Sequence, residues 1–145
     1  MPETTQSFSN HTRWHTPFHF VLFPVFFIHF AWCVWQITKS LTLEHAEQLL
    51  LSFGFLVMVL LVRTNPLKAQ DRVIRLEEQL RYQRLLPADL AARASALPVG
   101  FIVAMRFASD GELADIAQRA VDGGFAKPKD LKEAIKNWRG DYYRV

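Results

Sequence analysis

Residues 14–38 read WHTPFHFVLFPVFFIHFAWCVWQIT and contain no Lys, Arg, Asp or Glu. A second uncharged stretch, QLLLSFGFLVMVLLV at residues 48–62, follows after a short polar segment. The hydrocarbon core of a bilayer is about 30 Å thick, and about 20 helical residues are needed to cross it. The sequence therefore predicts two membrane-spanning helices, over residues 18–37 and 43–62, that form a transmembrane hairpin.

Basic residues indicate how this hairpin is oriented. Of the 17 Lys and Arg residues, 15 lie at or after Arg63, whereas the segment between the two spans carries only Lys39. Lys and Arg collect on the cytoplasmic side of membrane helices. We therefore expect both termini in the cytoplasm, with residues 1–17 as an N-terminal cytoplasmic segment and the turn at residues 39–47 on the outside.

Local signals indicate where the two spans begin. Thr16 can accept a hydrogen bond from a free amide at the start of the first span, and Pro17 fits the first helical position. Thr42 can cap the second span in the same way. Pro24 lies inside the first span and predicts a mild kink there.

Polar side chains within the spans are candidates for function, because ionisable groups are rare inside a membrane. They are His19, His29, Cys33, Gln36 and Ser52. His29 and Ser52 lie at similar distances from the expected turn, so we predict an interhelical polar contact between them, with Gly54 allowing close approach. The alternative is a metal or haem site that uses His19 or His29. We expect no cofactor, because the additional ligands that a metal needs cannot be identified.

A juxtamembrane amphipathic helix is predicted over residues 63–86, with a break or kink at Asn65-Pro66. Val73, Leu76 and Leu80 form an apolar stripe at positions i, i+3 and i+7. This stripe is too short to predict a coiled coil, but it leaves self-association open. Two ion pairs at i, i+4 are expected on the same helix: Asp71 with Arg75, and Glu77 with Arg81.

Residues 87–145 are predicted to form a small cytoplasmic bundle of four short helices. Ser109-Asp110-Gly111-Glu112 has the form of a capping box that opens one of them. Gly123-Gly124 is expected to end that helix. Three prolines fit the starts of the other helices: Pro87, Pro98 and Pro128. The last of these helices is expected to present Leu131, Ile135 and Trp138 on one side.

Residue types after the second span argue against catalysis. From Arg63 onward there is no His and no Cys, and no Gly-rich phosphate loop precedes a helix. The same segment contains 15 basic and 11 acidic residues. This near balance makes nucleic-acid binding unfavoured, because nucleic-acid-binding surfaces are strongly basic.

Two patches near the C-terminus, RFASDGEL at residues 106–113 and KEAIKNWRGDYYRV at residues 132–145, carry a family resemblance. They resemble the closing signature of an uncharacterised family of bacterial two-span membrane proteins, known as a domain of unknown function. The resemblance implies a location in the bacterial inner membrane and a short helical cytoplasmic tail. It implies no activity, ligand or catalytic residue.

Aromatic and Arg residues are concentrated at the C-terminal end, a composition typical of interface anchors. They are Trp138, Arg139, Tyr142 and Tyr143. We favour Trp138 as a residue that closes the bundle core, with Arg139 and Asp141 paired locally. Docking of these residues on a partner is the alternative.

Together these features predict an all-α membrane protein. The leading hypothesis is a non-enzymatic accessory or scaffold protein whose hairpin packs in the lipid bilayer, within a homo-oligomer or a larger membrane complex. Its cytoplasmic helices would contact a partner. The alternatives are a histidine-ligated metal or haem-binding membrane protein and a membrane-tethered regulator that binds nucleic acid.

Overall fold

The computed structural model describes residues 6–10 and 14–142, and this part of the chain is all helical. A π-helical turn, Pro17–Leu22, precedes the α-helices. These are α1 (Phe23–Lys39), α2 (Leu43–Leu85), α3 (Ala88–Ser95), α4 (Val99–Met105), α5 (Leu113–Val121) and α6 (Pro128–Ala134). The described residues form two compact units. We call residues 14–68 the N-terminal unit, and residues 6–10 with 69–142 the C-terminal unit.

The first helix begins differently from the prediction. Thr16 has helical backbone angles and makes no side-chain cap bond, so the predicted cap is wrong. The first free amides bond instead to the carbonyl oxygen of His15, at 3.0 Å. Pro24 lies in the first turn of α1, directly after the π turn. The π turn runs directly into α1, so Pro24 lies inside one helical run, Pro17–Lys39, and the amide donor that it lacks falls where π geometry changes to α geometry.

The second span is continuous with the helix that follows it. Pro66 lies inside α2 and residues 63–85 continue the same helix, so the chain does not break at Asn65-Pro66. The other predicted outcome, a kink at this point, stays a prediction. A proline removes one amide donor, and the hydrogen bonds on either side can carry the helix past it. The Thr42 hydroxyl accepts a hydrogen bond from the amide of His45 at 3.2 Å, which confirms the predicted cap.

Two helices are long and apolar enough to cross a membrane, Pro17–Lys39 and Leu43–Leu85. Most of the apolar side chains in these windows are exposed in the structure. Within the N-terminal unit, α1 and α2 touch through aromatic rings. The ring centroids lie 5.4 Å apart for Phe26 and Phe55, and 6.4 Å apart for Phe30 and Phe53.

The C-terminal unit surrounds one apolar core, to which α3, α4, α5, α6 and the last turns of α2 contribute. Pro87 and Pro98 occupy the N-cap positions of α3 and α4, and Pro128 is the first residue of α6. α5 ends as predicted, because Gly123 takes a positive φ of 77° and the amide of Gly124 bonds back to the helix. The largest fully buried side chains here are Tyr82, Phe107, Ile102, Met105, Leu113, Ile116 and Leu131.

Glu112 has a different role from the predicted one. It is the N-cap residue of α5, but its side chain makes no cap bond, so the capping box with Ser109 is wrong. Its carboxylate instead accepts hydrogen bonds from the backbone amides of Lys136 and Asn137, at 3.0 and 2.8 Å. Glu112 therefore holds the C-terminal segment against the start of α5.

Candidate functional site

The face of α2 that packs into the C-terminal unit carries ionisable groups. Glu78, Arg81 and Tyr82 are buried there together with Ile74. These positions fall on one side of a helix, because residues three or four apart lie above one another. Charged side chains are almost never fully buried unless they are paired. Their hydrogen-bond partners therefore decide what this face can do.

Arg81 is the centre of this buried cluster. Its Nε and Nη2 donate to Asp110 Oδ1 at 2.9 and 2.6 Å, and Nη2 also donates to the carbonyl oxygen of Ala108 at 2.7 Å. Nη1 donates to Glu78 at 3.2 Å. The guanidinium thus joins α2 to the segment after α4. The predicted pair between Glu77 and Arg81 is not among the ion pairs of residues 6–10 and 14–142.

Glu78 lies between two guanidinium groups. Arg81 Nη1 is 3.2 Å from its carboxylate, and Arg139 Nη1 is 3.5 Å away. Burial raises the pKa of Glu78 above its ordinary value, and the two arginines offset part of that rise. Burial also raises the pKa of the neighbouring Tyr82, whose hydroxyl has no hydrogen-bond partner among the described residues.

Trp138 packs against the core, as the sequence predicted, but it does so from an extended segment rather than from α6. Ile135 has extended backbone angles, so α6 has already ended. Trp138 forms an antiparallel bridge with Ala108, and its ring lies 4.9 Å from that of Phe107. Its Nε1 donates to the carbonyl oxygen of Ile135 at 3.2 Å. The Trp138 ring therefore closes one side of the core.

Arg139 and Asp141 pair with distant residues, so the predicted local pairing is wrong. The Arg139 guanidinium reaches Glu78, and Asp141 Oδ2 lies 3.0 Å from Arg106 Nε. The backbone amide of Asp141 also donates to the side chain of Gln6, at 2.8 Å. These contacts tie the C-terminal segment to α2, to the end of α4 and to the N-terminal residues.

A groove of about 500 Å³ lies between α2 and this C-terminal segment, within the C-terminal unit. Glu78 and Arg81 line it, and Arg84, Arg139 and Tyr142 contribute side chains that are exposed or half-exposed. Four guanidinium and three carboxylate groups line this groove, an excess of one positive charge, and Arg84 is the guanidinium among them that forms no ion pair with the described residues. Its chemistry suits a segment that carries carboxylate groups.

The groove contains two of the residues that the sequence indicated for docking. Arg139 and Tyr142 line it, whereas Trp138 is used in the core. Tyr143 lies outside the described residues. The sequence analysis did not identify Arg84, which also lines the groove. Its position four residues after Leu80, on the same side of α2, could have indicated it.

Three polar residues of the predicted spans, His29, Cys33 and Ser52, have partners within their own helices. His29 Nε2 lies 3.8 Å from Cys33 Sγ, and the Ser52 hydroxyl donates to the carbonyl oxygen of Leu49 at 2.8 Å. The contact between His29 and Ser52 stays a prediction. A Cβ added at Gly54 would meet nothing within 4 Å, so Gly54 does not mark a close helix approach.

His19 and His45 lie near helix starts. His19 Nδ1 is 3.0 Å from the carbonyl oxygen of His15. His45, for which the sequence had suggested no role, lies 2.8 Å from the carbonyl oxygen of Ser40 and so closes the turn between α1 and α2. Residues 6–10 and 14–142 contain no group of three or more His, Cys, Asp or Glu side chains that could hold a metal ion.

Comparison with protein families shows a match over the whole chain. A model described as a family of unknown function (DUF6526) covers residues 1–145, so the resemblance to a family of unknown function is confirmed over the whole chain. No curated protein and no solved structure matches the chain. The family description gives no activity, ligand or partner.

Proposed function

Because this chain belongs to DUF6526, a family of unknown function, we propose a function from its own structure: a non-enzymatic accessory or scaffold protein of the bacterial inner membrane. Pro17–Lys39 and the first part of α2 cross the bilayer as a hairpin. Both termini lie in the cytoplasm. The C-terminal unit contacts a partner protein.

The exposure of the two apolar helices carries this proposal. Only 6% of the apolar window in Pro17–Lys39 and 11% of that in Leu43–Leu85 is buried. A helix in the core of a soluble protein is mostly buried, and large exposed apolar patches mark interaction surfaces. A bilayer supplies the cover that these helices lack. Trp14 and Trp32, exposed near opposite ends of the first helix, suit the two membrane interfaces.

The paired ionisable groups support a structural role for the C-terminal unit. Arg81 is bonded to Asp110 and Glu78, and Arg106 is paired with Asp141. The pairs of Arg81 with Asp110 and of Arg106 with Asp141 join segments that are far apart in the sequence. A catalytic acid or base needs to reach a substrate, whereas Arg81 and Glu78 are buried. The arrangement favours a rigid docking module.

The groove supports contact with a partner. Arg and Tyr are enriched at the residues that dominate binding energy in protein interfaces. Arg84 and Tyr142 are exposed at the groove, and the side chain of Arg139 is half-exposed. We expect the partner to place an acidic segment here, because the groove has a net positive charge.

Photo-crosslinking of the full chain in native membranes tests both parts of the proposal. A benzophenone amino acid replaces Tyr142 in the groove, and the matched control places it at Lys129, an exposed residue on α6 outside the groove. We expect the chain to remain in membranes after an alkaline carbonate wash and to give a discrete crosslinked product only from position 142.

The two parts fail in different ways. Release of the chain by the carbonate wash would overturn membrane insertion. A chain that stays in the membrane but crosslinks equally from Tyr142 and Lys129 would overturn the contact at the groove.

A further inference from the structure

The side of α2 that faces away from the core of the C-terminal unit is apolar. Val73, Leu76 and Leu80 are 53%, 62% and 61% exposed. Viewed along the axis of a helix with 3.6 residues per turn, these three side chains point on average about 150° away from the buried residues of the same part of α2. Those buried residues are Ile74, Glu78, Arg81 and Tyr82. We call Val73, Leu76 and Leu80 the α2 stripe. The fold leaves more than half of each of these side chains uncovered, and Val73 and Leu80 also lie at the edge of the groove that Glu78 and Arg81 line.

We propose that the α2 stripe packs against the same stripe of a second copy of this chain, with the two helices parallel. This inference rests on the proposed membrane insertion, because two copies inserted in the same orientation present α2 in the same direction. In heptad notation Val73 and Leu80 take position a, and Leu76 takes position d. These positions form the seam of a coiled coil, and Val at a with Leu at d, the combination at Val73 and Leu76, favours two parallel strands.

The charges beside the stripe complement each other in this arrangement. Arg72 takes position g, and Glu77 takes position e of the next heptad. In a parallel pair these two positions face each other across the seam. Arg72 of each copy therefore meets Glu77 of the other. Both side chains are exposed, and neither forms an ion pair within the described part of one copy.

A second copy fits the stripe better than a lipid surface does. An anionic membrane attracts a helix whose polar flanks are basic. Here the acidic Glu77 lies directly beside the apolar residues. The seam is short, but membrane insertion confines two copies to one plane and one orientation. Such confinement raises the effective concentration and allows a short contact to form.

Cysteine crosslinking in isolated membranes tests the pairing. Cys33, the single cysteine of the chain, is replaced by Ala, and one cysteine is then introduced in place of Val73, Leu76 or Leu80. Arg75→Cys is the matched control, since it is exposed on the same helix outside the stripe. We expect all three stripe variants to form disulfide-linked dimers several-fold more than the control does. A disulfide requires Cα atoms within about 7 Å. In an antiparallel pair, at most one of the three positions could lie this close to the same position in the second copy.

Charge reversal identifies the occupant. Glu77→Arg places like charges opposite Arg72, and two attractive pairs become two repulsive ones, so crosslinking through Leu76→Cys should fall about tenfold. Adding Arg72→Glu restores the opposite charges and should restore the dimer. Lipid binding would instead follow net charge, so Glu77→Arg would strengthen it, whereas the same substitution weakens the dimer.

The outcomes separate this inference from the proposed function. Loss of the chain from the membrane fraction would overturn insertion and the pairing with it. A chain that remains in the membrane, but whose stripe variants crosslink no more than Arg75→Cys, would overturn the pairing alone. Failure of Arg72→Glu to restore the dimer would also overturn it.

Discussion

Replacing Arg81 with Met should strongly destabilise the C-terminal unit. The guanidinium is buried and donates hydrogen bonds to Asp110, to the Ala108 carbonyl and to Glu78. Met retains most of the aliphatic volume, so the loss is mainly electrostatic. It leaves the Glu78 carboxylate buried, with Arg139 as its remaining cationic neighbour at 3.5 Å. Removal of one partner from a buried ion pair costs about 3–5 kcal/mol.

The lower end of this range applies here. The Asp110 side chain is 67% exposed, so water can solvate its carboxylate once Arg81 is gone. We expect a loss of about 3 kcal/mol, against a total unfolding free energy of about 5 kcal/mol for a unit of this size. With a urea dependence of about 1–1.5 kcal/mol per molar, the unfolding midpoint should fall by about 2–3 M.

Pulse proteolysis with thermolysin, on the full chain in mild detergent across a urea series, measures this midpoint. Arg84→Met is the matched control, because it makes the same change three residues later at an exposed position. The control should change the unfolding free energy by less than about 0.5 kcal/mol. Equal midpoint shifts for the two variants would refute the reasoning.

Three further substitutions have defined outcomes. Tyr82→Phe should raise the unfolding free energy by about 1 kcal/mol at neutral pH, because it removes a buried hydroxyl without a hydrogen-bond partner among the described residues. Burial raises the pKa of Tyr82 above its ordinary value of 10.0. Above pH 10 the tyrosine therefore ionises in the unfolded chain before it does in the folded one, and the parent loses stability. The difference in urea midpoint between Tyr82→Phe and the parent should widen as the pH rises through this range. Gly123→Ala should destabilise by about 1 kcal/mol in thermal melts, since φ is positive there. Gly111→Ala is the control, because a Cβ added there meets nothing within 4 Å, and it should leave the melting temperature almost unchanged. Equal melting temperatures for Gly123→Ala and Gly111→Ala would contradict the role of the positive φ at Gly123. Glu112→Ala should lower the unfolding free energy by about 1–2 kcal/mol and speed hydrogen exchange at the backbone amides of Lys136 and Asn137, which donate to Glu112. Unchanged exchange at these amides would contradict the contact.

Helix ends in this protein could be predicted where the signal is local. Pro87, Pro98 and Pro128 each act at a helix start, Gly123 supplies the left-handed turn after α5, and Thr42 caps α2. Each of these effects depends on residues within about one helical turn. Local sequence was not sufficient at every helix start, because the caps predicted at Thr16 and at Ser109 with Glu112 do not form.

The candidate site depends on pairings that no local pattern contains. Arg81 binds Asp110, 29 positions away, and Arg139 binds Glu78, 61 positions away. Arg81 also binds Glu78, three positions before it, but spacing gives no sign of Asp110. The acidic residue nearest to Arg139 is Asp141, which pairs with Arg106 instead. Composition could indicate Arg139 and Tyr142 as docking residues. The groove that holds them exists only because the C-terminal segment folds back onto α2.

Cysteine labelling of spheroplasts tests the membrane hairpin most directly. In the Cys33→Ala background, Leu41→Cys places a thiol in the exposed turn between α1 and α2, and Arg75→Cys places one on the exposed side of α2 after the second span. A membrane-impermeant maleimide should label Leu41→Cys in intact spheroplasts and Arg75→Cys only after the membrane is permeabilised. Labelling of both thiols before permeabilisation, or of Arg75→Cys alone, would contradict a hairpin with both termini in the cytoplasm.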